Sequence, residues 1–202
     1  TRKFPKQYVQ FVAQPYTRPP FHASDAITPE NAHLAATQCQ GCERPACVAG
    51  CPAGIDIPGF LRRMEARNYV GAARLLRERN PFAEVCGYVC AADDLCQKRC
   101  YRKSFSGAPV RIAELERWVC EAAGRAGWLR PDPIENAQRT AVIGGGPAGL
   151  SCAYYLALTG RTVDVYDKEA QPGGQLWQMA AQGDLPMAAL NRDLEGLLAT
   201  NI

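Results

Sequence analysis

The sequence predicts an α-helical domain followed by the first part of an α/β domain of the Rossmann type. Three observations lead to this prediction. Eight of the ten cysteines fall into two boxes in the first half of the chain. Apolar residues between and after these boxes recur at helical spacing. A glycine-rich segment, residues 144–149, then separates a run of strand-forming residues from another helical pattern.

The composition indicates a globular protein of one or two domains. Of the 202 residues, 47% are hydrophobic and 21% are charged, which excludes a disordered tail or a collagen-like repeat. No stretch approaches the roughly 18 apolar residues of a membrane span, and a net charge of +3 is too weak to indicate nucleic-acid binding. Residues 1–20 lack the apolar core of a signal peptide. We therefore expect a cytoplasmic protein without a membrane span, whose cysteines bind metal rather than form disulfides.

The two cysteine boxes indicate iron–sulfur chemistry. The first box has the close spacing of a bacterial ferredoxin run, including the proline after its fourth cysteine. A thiolate set of this density suits a polynuclear iron centre, so we expect two [4Fe-4S] clusters. The boxes are Cys39-x2-Cys42-x4-Cys47-x3-Cys51-Pro52 and Cys86-x3-Cys90-x5-Cys96-x3-Cys100.

The fourth ligand of each cluster is expected to come from the other box. In two-cluster ferredoxins the last cysteine of one run ligates the other cluster. By the same logic Cys100 completes the first set, with Cys39, Cys42 and Cys47, and Cys51 joins the second box. Two structural zinc sites are the alternative, although zinc favours paired C-x2-C knuckles and the sequence has one. The remaining cysteines, Cys120 and Cys152, are predicted to be buried as small apolar side chains.

The region that contains the boxes is predicted to be helical. Residues 1–34 are rich in proline and are expected to form an extended arm, whereas residues 35–126 form a helical domain. Asp56 and Pro58 indicate the start of one helix, and another is predicted from residue 112 to about 126. Because the core of this domain looks thin without its metal sites, we expect metal binding to be coupled to its folding.

The character of the sequence changes after a predicted linker, residues 127–139, which contains two prolines. Residues 140–202 then begin a nucleotide-binding domain. Residues 140–143 are predicted to be a buried strand, and residues 162–166 a second strand after an intervening helix. A further helix is predicted over 187–198. A doubly wound domain needs several more strands, so we expect this chain to be the N-terminal portion of a longer polypeptide.

Between the two strands lies a dinucleotide fingerprint in the context that it requires. Gly144 permits the tight turn, Gly146 lets the backbone approach a pyrophosphate, and Gly149 lets helix and strand pack closely. Asp167 follows the second strand, about where an acid would meet ribose hydroxyls; Asp164 is an alternative acid within the strand. The other candidate cofactor-binding residues are Pro147, Ala148, Lys168, Gly174, Gln175 and Leu176.

In this order, the two boxes, the linker and the G-x-G-P-A-G segment resemble the small subunit of glutamate synthase. They also resemble the electron-input domains of dihydropyrimidine dehydrogenase and of bifurcating NAD(P)H:ferredoxin transhydrogenases. The resemblance covers residues 35–202 and implies a helical domain with two [4Fe-4S] clusters, followed by an FAD-binding domain. It implies that the fingerprint belongs to FAD, with Asp167 at the ribose and Gly174 near the flavin. NAD(P)H would bind to a further domain of the complete polypeptide.

The resemblance also changes one expected metal ligand. It implies that the second cluster takes Cys51, Cys90 and Cys96 together with Glu116, which leaves Cys86 without a ligand role. The residues support this independently, because Glu116 abuts the apolar stripe of its predicted helix and a carboxylate there needs a charged partner or a metal. A glutamate at the edge of the surface, with Cys86 as the ligand, remains the alternative.

The sequence is therefore interpreted as an electron-transfer subunit or domain of an NAD(P)H-linked oxidoreductase. It would relay electrons between FAD and a larger partner subunit, such as that of glutamate synthase or of a 2-oxoacid or other dehydrogenase. The aromatic residues of the arm favour burial against that partner. The alternative from another class is a zinc-stabilised interaction module fused to a nucleotide-binding remnant. The sequence shows no candidate general acid or nucleophile. This agrees with an electron-transfer function, in which the cofactors carry the chemistry.

Overall fold

The computed structural model describes residues 26–131 and 138–202. The arm predicted over residues 1–34 lies mostly outside these ranges, and so does the centre of the predicted linker. The helices are α1 (Ala32–Ala36), α2 (Ala46–Ala49), α3 (Ile57–Glu65), α4 (Tyr69–Arg77), α5 (Ala83–Val89), α6 (Lys103–Ser106), α7 (Ile112–Ala123), α8 (Pro147–Leu158), α9 (Leu176–Gln182) and α10 (Met187–Leu198); the strands are β1 (Arg139–Ile143) and β2 (Thr162–Tyr166).

Local capping explains where the helices of the first domain begin. The side chain of Asp56 accepts a hydrogen bond from the amide of Gly59 at 3.0 Å, and Pro58 occupies the first turn of α3. Asn68 caps α4 in the same way through the amide of Gly71. The predicted helix start at Asp56 is therefore confirmed. Both helices bury an apolar face, as their sequence periodicity predicts.

The predicted helix over 112–126 is shorter in the structure. α7 ends at Ala123, and Gly124 follows with a φ of +48°, a conformation that side chains rarely adopt. A single 3-10 turn, Gly124–Gly127, then replaces the last predicted turn. α7 packs against α4 and α5 and forms the centre of the helical domain. Its buried residues Leu115 and Val119 lie in a first hydrophobic core, to which α1, α3 and α4 also contribute.

A second core joins the helical domain to the nucleotide-binding region. It contains Phe82 and Val85 from the start of α5 together with Leu150 and Leu190 from α8 and α10. Trp128, which the sequence assigned to the linker, is also buried in this core. The predicted linker thus begins with a packed residue. The predicted boundary at residue 34 falls within α1, whose alanines are buried in the first core. α1 therefore packs as part of the helical domain.

The nucleotide-binding region begins with a βαβ unit. β1 and β2 pair in parallel, with Val142 opposite Val165, and α8 connects them. The bounds of the strands and of α10 agree with the sequence prediction, apart from β1 starting one residue earlier. The prediction that residues 140–143 form a buried strand is wrong, because no residue of β1 is buried and Ile143 is 82% exposed. The reason is that Val142 packs against the core on α8, whereas the opposite face of β1 has no such cover among the described residues. α9 was not anticipated. Among the described residues, none of the helices combines the length and apolar character needed to cross a bilayer.

The two isolated cysteines differ in burial. Cys120 is buried in the first core, as expected. Cys152 is exposed on α8, so the prediction that it is a buried apolar side chain is wrong. The reason is that α8 is apolar around most of its circumference. Sequence periodicity alone could not indicate which of its faces the sheet and the second core cover.

Candidate functional site

The first three cysteines of the first box and the last cysteine of the second box surround one cavity. Cys39 follows α1, Cys47 lies in α2, and Cys100 precedes α6. The amide of Val110 points at the Cys100 sulfur, with an N–Sγ distance of 3.5 Å. The cysteines that line this cavity are Cys39, Cys42, Cys47 and Cys100. They are the four that the ferredoxin pattern groups together, from positions up to 61 residues apart in the chain.

The remaining cysteines of the boxes surround a second cavity of about 140 Å³. Its walls come from the segment after α2, from α5 and its C-terminal end, and from α7. Cys96 is buried there, whereas Cys90, at the end of α5, is exposed. The residues with ligating side chains that line this cavity are Cys51, Cys86, Cys90, Cys96 and Glu116. Ile57 and Ile112 line both cavities, so the two adjoin.

Glu116 and Cys86 both face the second cavity, but their surroundings differ. Glu116 is 8% exposed, and its Oε1 atom has no hydrogen-bond partner. Burial raises the pKa of Glu116 to about 8, and the negative charge of Asp193 adds to this effect. Burial also raises the pKa of the Cys86 thiol, to about 12, although that thiol has a hydrogen-bond partner in Asn80. A buried carboxyl oxygen without a partner is costly unless a cation joins it.

These residues fit a polynuclear metal centre. Within the two described ranges, no three His, Cys, Asp or Glu side chains converge closely enough to hold a single metal ion. The thiols instead stand around the two cavities. Burial, with repulsion from Cys100 and Cys39, raises the pKa of Cys47 to about 11. Such thiols ionise when a metal joins them, and soft thiolate sets select iron–sulfur clusters or zinc.

The glycine-rich turn after β1 has the geometry of a dinucleotide loop. Gly144 has a φ of +110°. A Cβ atom on Gly149 would lie 1.8 Å from the carbonyl oxygen of Gly144, so only glycine lets α8 pack this closely. A Cβ atom on Gly146 would meet nothing within 4 Å. The space over Gly146, at the N-terminus of α8, is therefore open to a ligand, and the first turn of α8 offers its free amides to phosphate. Pro147 and Ala148 form that turn.

Asp167 closes this turn through its carboxylate. Its Oδ2 atom accepts a hydrogen bond from the amide of Gly145 at 2.5 Å, and Oδ1 accepts one from Glu169 at 2.8 Å. These hydrogen bonds, the one from Glu169 first, lower the pKa of Asp167. Lys168 is exposed beside it. The alternative acid, Asp164, lies in the middle of β2 and forms an ion pair at 2.8 Å with Arg139, the first residue of β1.

The second glycine-rich turn packs on the first. The amide of Gly173 donates to the carbonyl of Gly145 at 2.7 Å. A Cβ atom on Gly174 would lie 3.1 Å from the Cα atom of Gly146. Gln175 is exposed at the start of α9. The side chain of Leu176 lies in the second core, so only its backbone is available to a nucleotide.

Sequence reasoning missed a buried ionic network between the helical domain and the nucleotide-binding region. Arg77 of α4 forms an ion pair with Asp193 of α10 at 3.3 Å, and both side chains are almost fully buried. The guanidinium of Arg77 also lies 4.3 Å from the ring centre of Trp128. A second pair joins buried Glu84 to Arg192 at 2.5 Å. The sequence offers no signal for these pairs, because the partners are more than 100 residues apart.

Two family models match the chain. The model described as dihydropyrimidine dehydrogenase domain II, 4Fe-4S cluster, matches residues 21–128, just over half of the chain. The model of an NAD(P)-binding Rossmann-like domain matches residues 142–186. A 4Fe-4S domain followed by the start of a Rossmann-like domain is thereby confirmed. FAD at the fingerprint and the number of clusters stay predictions.

Curated relatives agree with this assignment. The NAD-dependent dihydropyrimidine dehydrogenase subunit PreT of Escherichia coli O157:H7 is 36% identical over 170 residues, which cover 84% of this chain and 41% of the relative. The putative oxidoreductase UacF of E. coli K12 is 38% identical, covering 74% of this chain and 24% of the relative. The glutamate synthase [NADPH] small chain of Halomonas elongata is 37% identical, with coverages of 73% and 32%.

The chain therefore spans about two fifths or less of the length of these relatives. The expected resemblance to an oxidoreductase family that includes both dihydropyrimidine dehydrogenase and glutamate synthase subunits is confirmed. The family model covers the whole of the cysteine-lined helical domain and just over half of the chain. This chain therefore belongs to the family of the 4Fe-4S domain II of dihydropyrimidine dehydrogenase.

Proposed function

We propose that this chain is the electron-transfer portion of an NAD(P)H-linked oxidoreductase, and that it relays electrons between FAD and a partner catalytic subunit through two [4Fe-4S] clusters. The observation that carries the proposal is the pair of adjoining cysteine-lined cavities, which share Ile57 and Ile112 as walls. Clusters and flavin supply one-electron transfer and the exchange between one- and two-electron carriers when they are bound.

The proposed ligand sets follow the two cavities. Four thiolates, from Cys39, Cys42, Cys47 and Cys100, hold the first cluster. Three thiolates, from Cys51, Cys90 and Cys96, hold the second with the carboxylate of Glu116. The buried, partnerless Oε1 atom of Glu116 supports its place in this set. Cys86, which has Asn80 as a partner, is the alternative fourth ligand.

The chain's role at the nucleotide is to bind and orient it. The open space over Gly146 and the free amides at the start of α8 suit the pyrophosphate of FAD. Asp167 lies at the end of β2, in reach of a ribose bound along the turn. Gly174 packs against Gly146, so the second turn forms part of the same site. NAD(P)H would bind to a further domain of the complete polypeptide.

A larger catalytic or electron-transfer subunit is the proposed partner. Relatives of this chain are named as a subunit or a small chain of their enzymes, which supports a function within a complex. The proposed complex is that of a dihydropyrimidine dehydrogenase, a glutamate synthase or another dehydrogenase.

Metal, sulfide and flavin analysis of the full-length protein, purified without exposure to oxygen, tests this proposal. We expect about eight irons and eight acid-labile sulfides per chain, from two clusters, and one FAD. Stoichiometric zinc without iron would instead support the zinc-stabilised module. About four irons would show that one cavity lacks a cluster, and the variants of the second cavity described below then identify which one.

A further inference from the structure

Two aromatic side chains stand in solvent next to the first cavity. Tyr101 is 67% exposed and Phe105 is 59% exposed. Their ring centres lie 5.9 Å apart, so the two rings form one continuous apolar surface. Single exposed apolar residues are common on protein surfaces, but paired aromatic rings are enriched in interface cores.

The position of this pair connects it to the candidate metal centre. Tyr101 directly follows Cys100, and Arg99, Tyr101 and Arg102 line the outer side of the first cavity. Arg102 is held in place by the carbonyl of Ala108 at 2.7 Å and by the side chain of Gln38 at 3.0 Å. A protein bound over these residues would therefore lie against the wall of the first cavity.

The surroundings of the aromatic pair are positively charged. Residues 97–106 contain four cationic side chains and no acidic one. Arg99 and Lys103 are exposed on either side of Tyr101, and Arg99 reaches the carbonyl of Ala49 at 3.3 Å. Lys98 lies 3.8 Å from Asp94, which partly balances its charge. We call Arg99, Tyr101, Lys103 and Phe105 the Tyr101 patch.

We propose that the Tyr101 patch is the docking surface for an electron-carrier protein with an acidic surface, which exchanges electrons with the cluster held by Cys100. This inference rests on the proposed function of the first cavity. The charge of the patch selects an acidic partner and speeds its encounter, and the two rings supply the buried centre of the interface. A compact group of cations beside the first cavity, with Lys98 paired to Asp94, suits a protein carrier better than a nucleic acid, for which extended basic stripes are typical.

The experiment uses flavodoxin, an acidic one-electron carrier, as the probe and cytochrome c as its basic counterpart. Binding of each carrier to the iron-loaded, full-length protein is measured by calorimetry at low and high salt. We expect flavodoxin to bind in a salt-sensitive manner and cytochrome c not to bind. The double variants Tyr101→Ala/Phe105→Ala and Arg99→Glu/Lys103→Glu should each weaken flavodoxin binding by about tenfold or more. Arg125→Glu and Met187→Ala, at exposed sites outside the patch, should change it less than about twofold.

Iron content and EPR spectra of every variant separate this inference from the proposed function. Patch-dependent binding by a protein without iron would overturn the proposed function alone. If the protein has its full iron content but flavodoxin does not bind, or binds the patch variants as tightly as the original protein, the proposed docking surface is wrong and the proposed function stands. The docking surface is also wrong if the patch variants abolish dimerisation of this chain, or binding of a single-stranded oligonucleotide, while flavodoxin affinity is unchanged.

Discussion

The carboxylate of Asp193 in α10 accepts a hydrogen bond from the backbone amide of Val85 in α5 at 3.0 Å, across 108 residues of the chain. The amide of Val85 belongs to the first turn of α5, where backbone donors have no partner within the helix. Asp193 thus caps α5 from another domain, and its other oxygen pairs with buried Arg77. Since α5 carries Cys86 and is followed directly by Cys90, the nucleotide-binding region helps to position one wall of the second cavity.

Removing the Asp193 carboxylate should therefore destabilise the protein. We expect Asp193→Ala to lower the free energy of unfolding by roughly 3–5 kcal/mol, because it leaves the buried charge of Arg77 without its partner. Chemical denaturation followed by circular dichroism measures the change. Asp184→Ala, an exposed aspartate before α10, serves as the matched control and should shift stability by about 0.5 kcal/mol or less. Equal effects of the two substitutions would refute a structural role for the network.

The second cavity offers a choice between Glu116 and Cys86 as the fourth ligand. We expect Glu116→Ala to alter the EPR signal of one cluster, and Cys86→Ala to leave both signals in place. Cys90→Ala should be more damaging than either, because ligation is coupled to folding. Reversed results, with intact signals in the Glu116 variant and a lost signal in the Cys86 variant, would assign the position to the cysteine.

Two glycines of the fingerprint should respond differently to the same substitution. Gly149→Ala places a methyl group against the carbonyl of Gly144, so we expect it to lower stability by about 1–3 kcal/mol and to weaken FAD binding. Gly146→Ala meets no protein atom within 4 Å. It should therefore weaken FAD binding with little change in stability. Thermal unfolding and flavin titration of both variants test this difference, and a stable Gly149 variant with full flavin content would contradict it.

The hydrogen bonds of Asp167 predict the pH dependence of the fingerprint turn. The amides of Glu169 and Gly145 stabilise the ionised carboxylate and lower its pKa in the folded protein. The contribution of Asp167 to stability is therefore present above the ordinary aspartate pKa of about 3.9, and it is lost as the pH falls through the lowered value.

NMR titration of the Asp167 carboxyl carbon should give a midpoint below about 3.9, with the amide proton of Gly145 shifting over the same pH range. Asp167→Asn should abolish that shift. A midpoint for Asp167 at or above the ordinary aspartate value of about 3.9 would contradict the hydrogen bonds.

Much of the site could be predicted because its signals are local. The ferredoxin-like spacing grouped Cys39, Cys42, Cys47 and Cys100, and these four cysteines line one cavity. Glycines at fixed offsets after a strand identified the nucleotide turn, because Gly149 must allow a close approach that any side chain would block. The helix N-cap at Asp56 could also be predicted, because it depends on a backbone amide only three residues away.

Other features depend on contacts that no local pattern encodes. Glu116 is buried and Cys152 is exposed because of the elements that pack on their helices. Sequence periodicity identifies an apolar helix face, but it does not show which element packs against that face. Likewise the prolines that follow Trp128 predict that it belongs to a linker, yet it packs against the guanidinium of Arg77.

The sequence by itself determined the two kinds of region in this protein, a cysteine-rich 4Fe-4S domain and a glycine-rich turn that begins a Rossmann-like domain, each specified by residues with narrow chemical roles. Only the tertiary structure decided how they are joined. It placed the two cavities side by side across Ile57 and Ile112, and it set Asp193 against both Arg77 and Val85. The physical reason is that a buried charge needs its partner in space, and the partner's position in the chain is free to vary.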